Sequence, residues 1–161
     1  MREILFRGKR ADNGKWITSQ TRLHNEKTGF DYLFDREDSA NSEIVIEDVN
    51  EQNFIYGMER SEQPIFYRVE NICEYTGLVD KNGAKIFDGD IMDVFSSSDL
   101  FYYGRGIVKW DDTKCAFRLF IIEDEELVYT INEYCVYEVV GNIFDNPDFL
   151  KFFKNKKDIG R

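Results

Sequence analysis

Proline is nearly absent from this chain of 161 residues, occurring only at Pro64 and Pro147, and histidine occurs once, at His24. With so few prolines, almost every residue keeps a backbone donor for a sheet ladder. A single histidine removes the clustered imidazoles on which most catalytic zinc sites are built. Cys73, Cys115 and Cys135 are odd in number, widely spaced and never form a Cys-x-x-Cys pair. Neither a disulfide framework nor a zinc site follows from them, and all three read as buried, reduced, structural thiols. A Cys–His catalytic pair would have to use His24, whose neighbours Leu23, Asn25 and Glu26 read as a turn. No run approaches the ~18 uninterrupted apolar residues of a spanning helix, and the apolar stretch within Met1–Arg7 is too short for a signal peptide. A cytoplasmic protein with no membrane partner is expected.

The chemical signatures are missing as well. Gly104-Arg105-Gly106 lacks the third glycine of a dinucleotide fingerprint and precedes a strand pattern instead of opening a helix. There is no Gly-x-Ser-x-Gly and no Gly-Lys-Ser/Thr loop. Asp80-Lys81-Asn82-Gly83 opens like a calcium loop, but its glycine comes too early and Val79 and Lys81 supply no ligands. The pairs Asp88/Asp90 and Asp111/Asp112 have the composition of a cation site or an acid–base couple. Turn chemistry explains both at lower cost, because aspartate accepts hydrogen bonds from nearby amides. No catalytic residue, cofactor or metal is expected, and the chain does not read as an enzyme.

What the chain does contain is charge, aromatics and turns. Hydrophobic residues make up 42% and charged residues 32%, a balance that suits a folded domain able to bury roughly 70% of its unfolded surface. The net charge is −10, and the stretch from Asp31 to Glu62 accounts for −8 of it, with ten acids against Arg36 and Arg60. The two ends of the chain are locally basic. A field of this sign repels phosphate backbones, so a nucleic-acid partner is disfavoured.

Phe, Tyr and Trp reach 16%, clustered in short runs separated by Asn-Gly, Asp-Gly and Asp-Asp. That is the pattern of strands joined by tight turns. Strands are expected at Glu3–Arg7 and Lys15–Thr18 around an Asn13-Gly14 turn, then at Lys85–Phe87, Ile91–Phe95, Gly106–Trp110, Cys115–Ile121, Leu127–Ile131 and Cys135–Val140. Arg68–Tyr75 reads as a strand or an extended connector. Ile44–Ile46 and Asn53–Tyr56 look like strands inside a variable acidic insertion. Asn146 as cap, Pro147 at the first position and Asp148 behind it predict a short C-terminal helix with Phe149, Leu150 and Phe153 on one side. The expected fold is mainly β, of α+β type. An N-terminal hairpin lobe over residues 1–70 is followed by a bent sheet or SH3-like barrel over 71–161 that ends in the helix.

Two places combine rings with cations, Tyr102-Tyr103-Gly104-Arg105 after a serine loop and Trp16 beside Lys15. Such pairs suit stacking on a base or a peptide, and Tyr102, Tyr103 and Arg105 are candidate partner-binding residues.

Four ordered blocks carry a resemblance. They are Met1–Arg7, Tyr75-Thr76-Gly77-Leu78-Val79-Asp80-Lys81-Asn82-Gly83-Ala84-Lys85-Ile86-Phe87-Asp88-Gly89-Asp90-Ile91, Gly106–Trp110 and Val140–Leu150. Together they resemble the YopX family of phage and prophage proteins over nearly the whole chain, with Ser19–Ser61 matching least. Cys73, Glu74 and Asp88 are mild departures, standing where glycine, glutamine and glutamate are expected. The resemblance implies a mainly β protein of phage or mobile-element origin in a bacterial cytoplasm, with no established activity and a plausible tendency to self-assemble. Glycines and aspartates of the central block serve turns, while Thr76, Asp80, Lys81 and Asp90 are taken as exposed and are further candidates for partner binding.

The expected function is a non-enzymatic binding or self-assembling protein, a homo-oligomer with an unidentified host or phage protein as a further partner. The alternatives are a nucleic-acid-associated regulator, or an acidic inhibitor of a host DNA-binding protein.

Overall fold

The computed structural model describes residues 3–34, 66–122, 127–132 and 134–152. The chain divides into two compact units. One is Ile4–Glu74, and the other joins Met1–Glu3 to Tyr75–Arg161. Both are built from antiparallel strands, so the mainly β expectation holds.

The Ile4–Glu74 unit begins with a hairpin of β1 (Phe6–Arg10) and β2 (Trp16–Ser19). Its turn is fixed locally, since Gly14 N donates to Arg10 O at 2.9 Å and Lys15 N donates to the Asn13 side chain at 2.8 Å. The expected pairing is correct, with β1 displaced toward the turn. A second hairpin, β3 (Arg22–Asn25) and β4 (Phe30–Phe34), was not anticipated. His24 therefore lies in a strand, where its Nδ1 meets Asp31 Oδ1 at 3.0 Å, and not in a turn. β5 (Phe66–Val79) is a single continuous strand, and in this unit the order is β2-β1-β5-β4-β3. Ile17, Leu33 and Val69 form the core, with Phe6, Tyr67 and Ile72 packed against it. Buried Arg10 roofs it, its guanidinium 3.4 Å from the Tyr67 ring centre and held by Asp12 through bonds of 2.9 and 2.6 Å. The hydrogen bonds from the Arg10 side chain hold the Asp12 carboxyl below its ordinary value, against the opposing effect of burial. Ile44–Ile46 and Asn53–Tyr56 lie outside the described residues.

In the other unit the last residues of β5, from Tyr75 to Val79, pair with β6 (Lys85–Phe87). A five-stranded sheet follows, made of β7 (Asp90–Ser96), β8 (Tyr102–Asp111), β9 (Ala116–Ile121), β10 (Val128–Thr130) and β11 (Cys135–Asn142). Its order is β10-β9-β8-β7-β11. One face carries Met92, Val94, Val108, Leu119, Ile121 and Tyr137, closed by Ile86. The other carries Ile91, Ile107 and Ile122, covered in part by Val140, Ile143, Phe149 and Leu150. Alternation along β7 and β8 feeds both layers, Ile91 and Ile107 into one and Met92, Val94 and Val108 into the other.

The sheet is open, and no barrel closes among the described residues. The expected short C-terminal helix is present as a 3-10 helix, Pro147–Phe152. Asn146 starts it through its backbone carbonyl, which accepts Phe149 N at 3.2 Å, while its side chain turns back to Asn142 N at 3.1 Å. Phe149 and Leu150 pack on the second core layer as expected, and Phe153 lies outside the described residues. The thiols differ from one another: Cys73 is buried, Cys135 half-buried and Cys115 exposed in the β8–β9 turn at φ 49°, so the uniform buried reading fails there. A turn of that hand places the side chain outside the ladder.

Gly106 is a tight point of this packing. A Cβ there would sit 2.7 Å from Leu119 Cγ and 2.8 Å from Phe120 O. Gly106→Ala is expected to destabilise the fold by about 1–3 kcal/mol through overpacking, read as a lowered urea midpoint with the slope unchanged.

Candidate functional site

The signature block places Asp80 at a junction. Its Oδ1 accepts Asn82 N at 2.8 Å and Ala84 N at 2.9 Å, and its Oδ2 accepts Val139 N on β11 at 3.1 Å. Next to it Lys81 N donates to Tyr137 O at 2.9 Å. A carboxylate and one amide thus occupy the outer edge of β11 where another strand would otherwise pair. Gly83 completes the turn at φ 82°, a conformation that suits glycine. Burial works against the Asp80 charge. The amides of Val139, Ala84 and Asn82, with help from Lys81, overcome it and hold the carboxyl below its ordinary value.

Thr76 and Asp90 work in the same local way. Thr76 Oγ1 donates to Ile86 O at 2.8 Å and accepts Leu78 N at 3.2 Å. Asp90 Oδ2 accepts Phe87 N at 2.8 Å. The expectation that Thr76, Asp80 and Asp90 are exposed is incorrect, because they are 8%, 7% and 1% exposed respectively. Polar side chains of this length satisfy nearby amides inside the fold, and the sequence pattern of a surface turn looks the same. Lys81 does reach the surface, where its ammonium pairs with Glu138 Oε2 at 2.6 Å and lies 5.3 Å from the Phe95 ring centre.

The other candidates stand at the β7–β8 hairpin. Arg105 faces Asp93 across the ladder and binds it in a two-pronged pair at 2.7 and 2.8 Å, with its guanidinium carbon 4.7 Å from the Phe149 ring centre. Tyr102 packs against Phe95 at 5.5 Å between centroids, with its hydroxyl 3.4 Å from Asp93. Tyr103 meets Phe101 edge-on at 5.9 Å. The Ser96–Phe101 loop is pinned by Ser96 N to Phe101 O at 2.8 Å and Leu100 N to Ser96 O at 3.1 Å, so it is a built turn. Ser97 N donates to Tyr134 O at 3.3 Å, which places Tyr134 at the same end of the sheet.

Here large apolar side chains face solvent. Leu100 is 65%, Phe101 64%, Tyr103 47% and Tyr134 73% exposed. Leu100, Phe101 and Tyr134 were not among the sequence candidates. The available signal was the apolar pair Leu100-Phe101 directly after a polar serine loop.

The carboxylate pairs behave as turns where their partners are visible. Asp111 Oδ1 accepts Thr113 Oγ1 at 2.6 Å and Thr113 N at 3.0 Å, and Asp111 Oδ2 accepts Arg118 at 3.1 Å. The Thr113 hydroxyl leads in lowering the Asp111 pKa, desolvation opposes it, and Arg118 adds to the lowering. No group of three or more His, Cys, Asp and Glu side chains gathers as metal ligands among the described residues. Within the acidic stretch, Asp31 accepts Arg22 at 2.9 Å, and positions 35 to 62 lie outside the described residues.

These features define a β protein whose signature residues serve architecture and whose exposed aromatic groups sit at a hairpin end. The family model described as YopX protein matches residues 5–151, and the chain belongs to the YopX family. A search of curated proteins finds no match to the chain.

Asp80→Ala leaves three amides without their acceptor and is expected to cost about 2 kcal/mol or more, measured by chemical denaturation. Because the folded carboxyl titrates below its unfolded value, its contribution is complete at neutral pH and disappears as pH falls through the depressed pKa. Asp80→Asn should therefore flatten the acid limb of the stability profile below the ordinary carboxylate range.

Proposed function

We propose that the protein is a non-enzymatic binding and self-assembling protein of a phage or prophage that works in the bacterial cytoplasm. The bent five-stranded sheet serves it as an SH3-like platform, and the β7–β8 hairpin tip is its contact surface. The observation that carries this reading is the joint exposure of Leu100, Phe101, Tyr103 and Tyr134 at one end of the sheet. Contiguous large apolar groups on a folded surface mark interaction sites. Tyrosine and phenylalanine, enriched at such sites, bury ~150–250 Å² each with few rotors to immobilise.

The occupant favoured here is a second copy of the chain. Packing against an identical tip removes the same patch from water on both molecules, which is the self-complementary geometry of a two-fold contact. Lys81 and Tyr102 flank the contact, and the Arg105–Asp93 pair braces it from behind. The phage or prophage setting rests on the resemblance of the four sequence blocks.

Light scattering after size exclusion is expected to give a mass above the 19.1 kDa of one chain, rising with concentration. The double variant Phe101→Asp/Tyr103→Asp should return the mass to a single chain, with the melting temperature little changed because neither ring is in a core cluster. A single-chain mass at the highest soluble concentration refutes self-association. A tip variant that still assembles moves the contact elsewhere.

A further inference from the structure

An open sheet has two outer edges, and in the five-stranded sheet these belong to β11 and β10. Asp80 and the Lys81 amide occupy the first. The second is a different case. Val128-Tyr129-Thr130 joins two β-branched residues to an aromatic one, a composition that favours strand pairing. Among the described residues no strand pairs with its outer side.

Register fixes which groups β10 turns outward. Ile121 N donates to Leu127 O at 3.1 Å, and β9 and β10 then pair Phe120 with Val128, Leu119 with Tyr129 and Arg118 with Thr130. In an antiparallel ladder, hydrogen-bonded and non-hydrogen-bonded pairs alternate. Leu127 and Tyr129 therefore use their backbone groups on β9, while Val128 and Thr130 direct theirs away from the sheet. The same parity holds on the other side of β9, where Ile122 N donates to Arg105 O at 2.8 Å. Two outward residues separated by one make a self-complementary edge. Turned about Tyr129, the β10 of a second copy would set each Val128 opposite a Thr130 and exchange both backbone bonds in each pair.

One side chain stands in the way. Arg118 reaches from β9 over to β10, where its Nη2 donates to Val128 O at 2.9 Å. Its Nη1 donates to Asp111 Oδ2 at 3.1 Å, and Asp111 is itself tied to Thr113 through Oδ1. The guanidinium is thus held between the end of β8 and the edge of β10. Its Nε is buried and has no hydrogen-bond partner among the described residues. An unmet buried donor is unfavourable, so local stability alone does not account for the arrangement. The bond to Val128 O does take an acceptor that an added strand would need, and it puts a cation where the incoming backbone would lie.

We propose that Arg118 guards β10 against pairing with the β10 of a second copy, so that molecules do not join into one continuous sheet. Asp111 holds the guard in place. The inference is independent of the hairpin tip: it names a surface closed to a second copy, whichever surface is open.

The test uses the full chain in the Phe101→Asp/Tyr103→Asp background, so that a contact at the tip does not contribute. Arg118→Met keeps most of the apolar stem and removes the guanidinium. It should raise the mass seen by light scattering about twofold over that background, as for a two-fold pair. Amide exchange at Val128 and Thr130, followed by NMR, should slow by about tenfold or more as these donors become paired. Adding Thr130→Pro removes one outward donor without touching the ladder to β9, and should reverse the association. Circular dichroism checks that each variant is folded. If Arg118→Met is not, Asp111→Ala, which frees the guanidinium from its anchor, is judged by the same readouts. A mass and an exchange pattern unchanged from the background overturn the proposal. Association that survives Thr130→Pro overturns it too, because the contact then lies elsewhere.

Discussion

A single carboxylate turns an open edge into a finished one. By accepting Asn82 and Ala84 with one oxygen and Val139 with the other, Asp80 ties its own turn to the last strand of the five-stranded sheet. No backbone ladder could do this in so short a space, because a ladder needs a run of residues in register while a carboxylate supplies two acceptors from one position. The Thr76–Ile86 and Asp90–Phe87 bonds extend the same logic to either side of β6. A block rich in glycine, aspartate and asparagine can therefore define a family by its architecture.

Rigidity behind the hairpin tip follows from the neighbouring strands. Asp93 and Arg105 face each other in the ladder and join through both oxygens, a geometry that arginine holds better than lysine. Phe149 of the terminal 3-10 helix lies against the same guanidinium. One residue further along β8, Gly106 lets Leu119 and the Phe120 carbonyl approach too closely for any side chain. The exposed rings thus project from a base with little freedom to rearrange, which lowers the ordering cost of contact.

Much of this was legible in the sequence, and the misses have physical reasons. Strands β6 to β11 were visible because short aromatic and β-branched runs are bounded by Asp, Gly and Asn turns. β3 and β4 were not, since Arg22-Leu23-His24-Asn25 has little apolar alternation and gains its place by pairing with Leu33 and Tyr32. The terminal helix was placed correctly, but not its cap: the Asn146 side chain, assigned to the cap, bonds to Asn142 instead. Of the four residues of the signature block read as exposed, Lys81 reaches the surface, whereas Thr76, Asp80 and Asp90 are buried. Composition cannot tell whether an aspartate in a turn serves solvent or its own backbone. Leu100 and Phe101 escaped notice because apolar residues are by default assigned to a core.

β8 runs from the aromatic tip to the turn that holds Cys115, a span of ten residues or about 30 Å of extended chain. Of the three thiols, this one alone is exposed, so a maleimide probe would mark it before the others. Nature has in this way left a spectroscopic handle on the far end of the strand. Spin labels placed there would report distances between molecules in the proposed assembly without touching the hairpin tip.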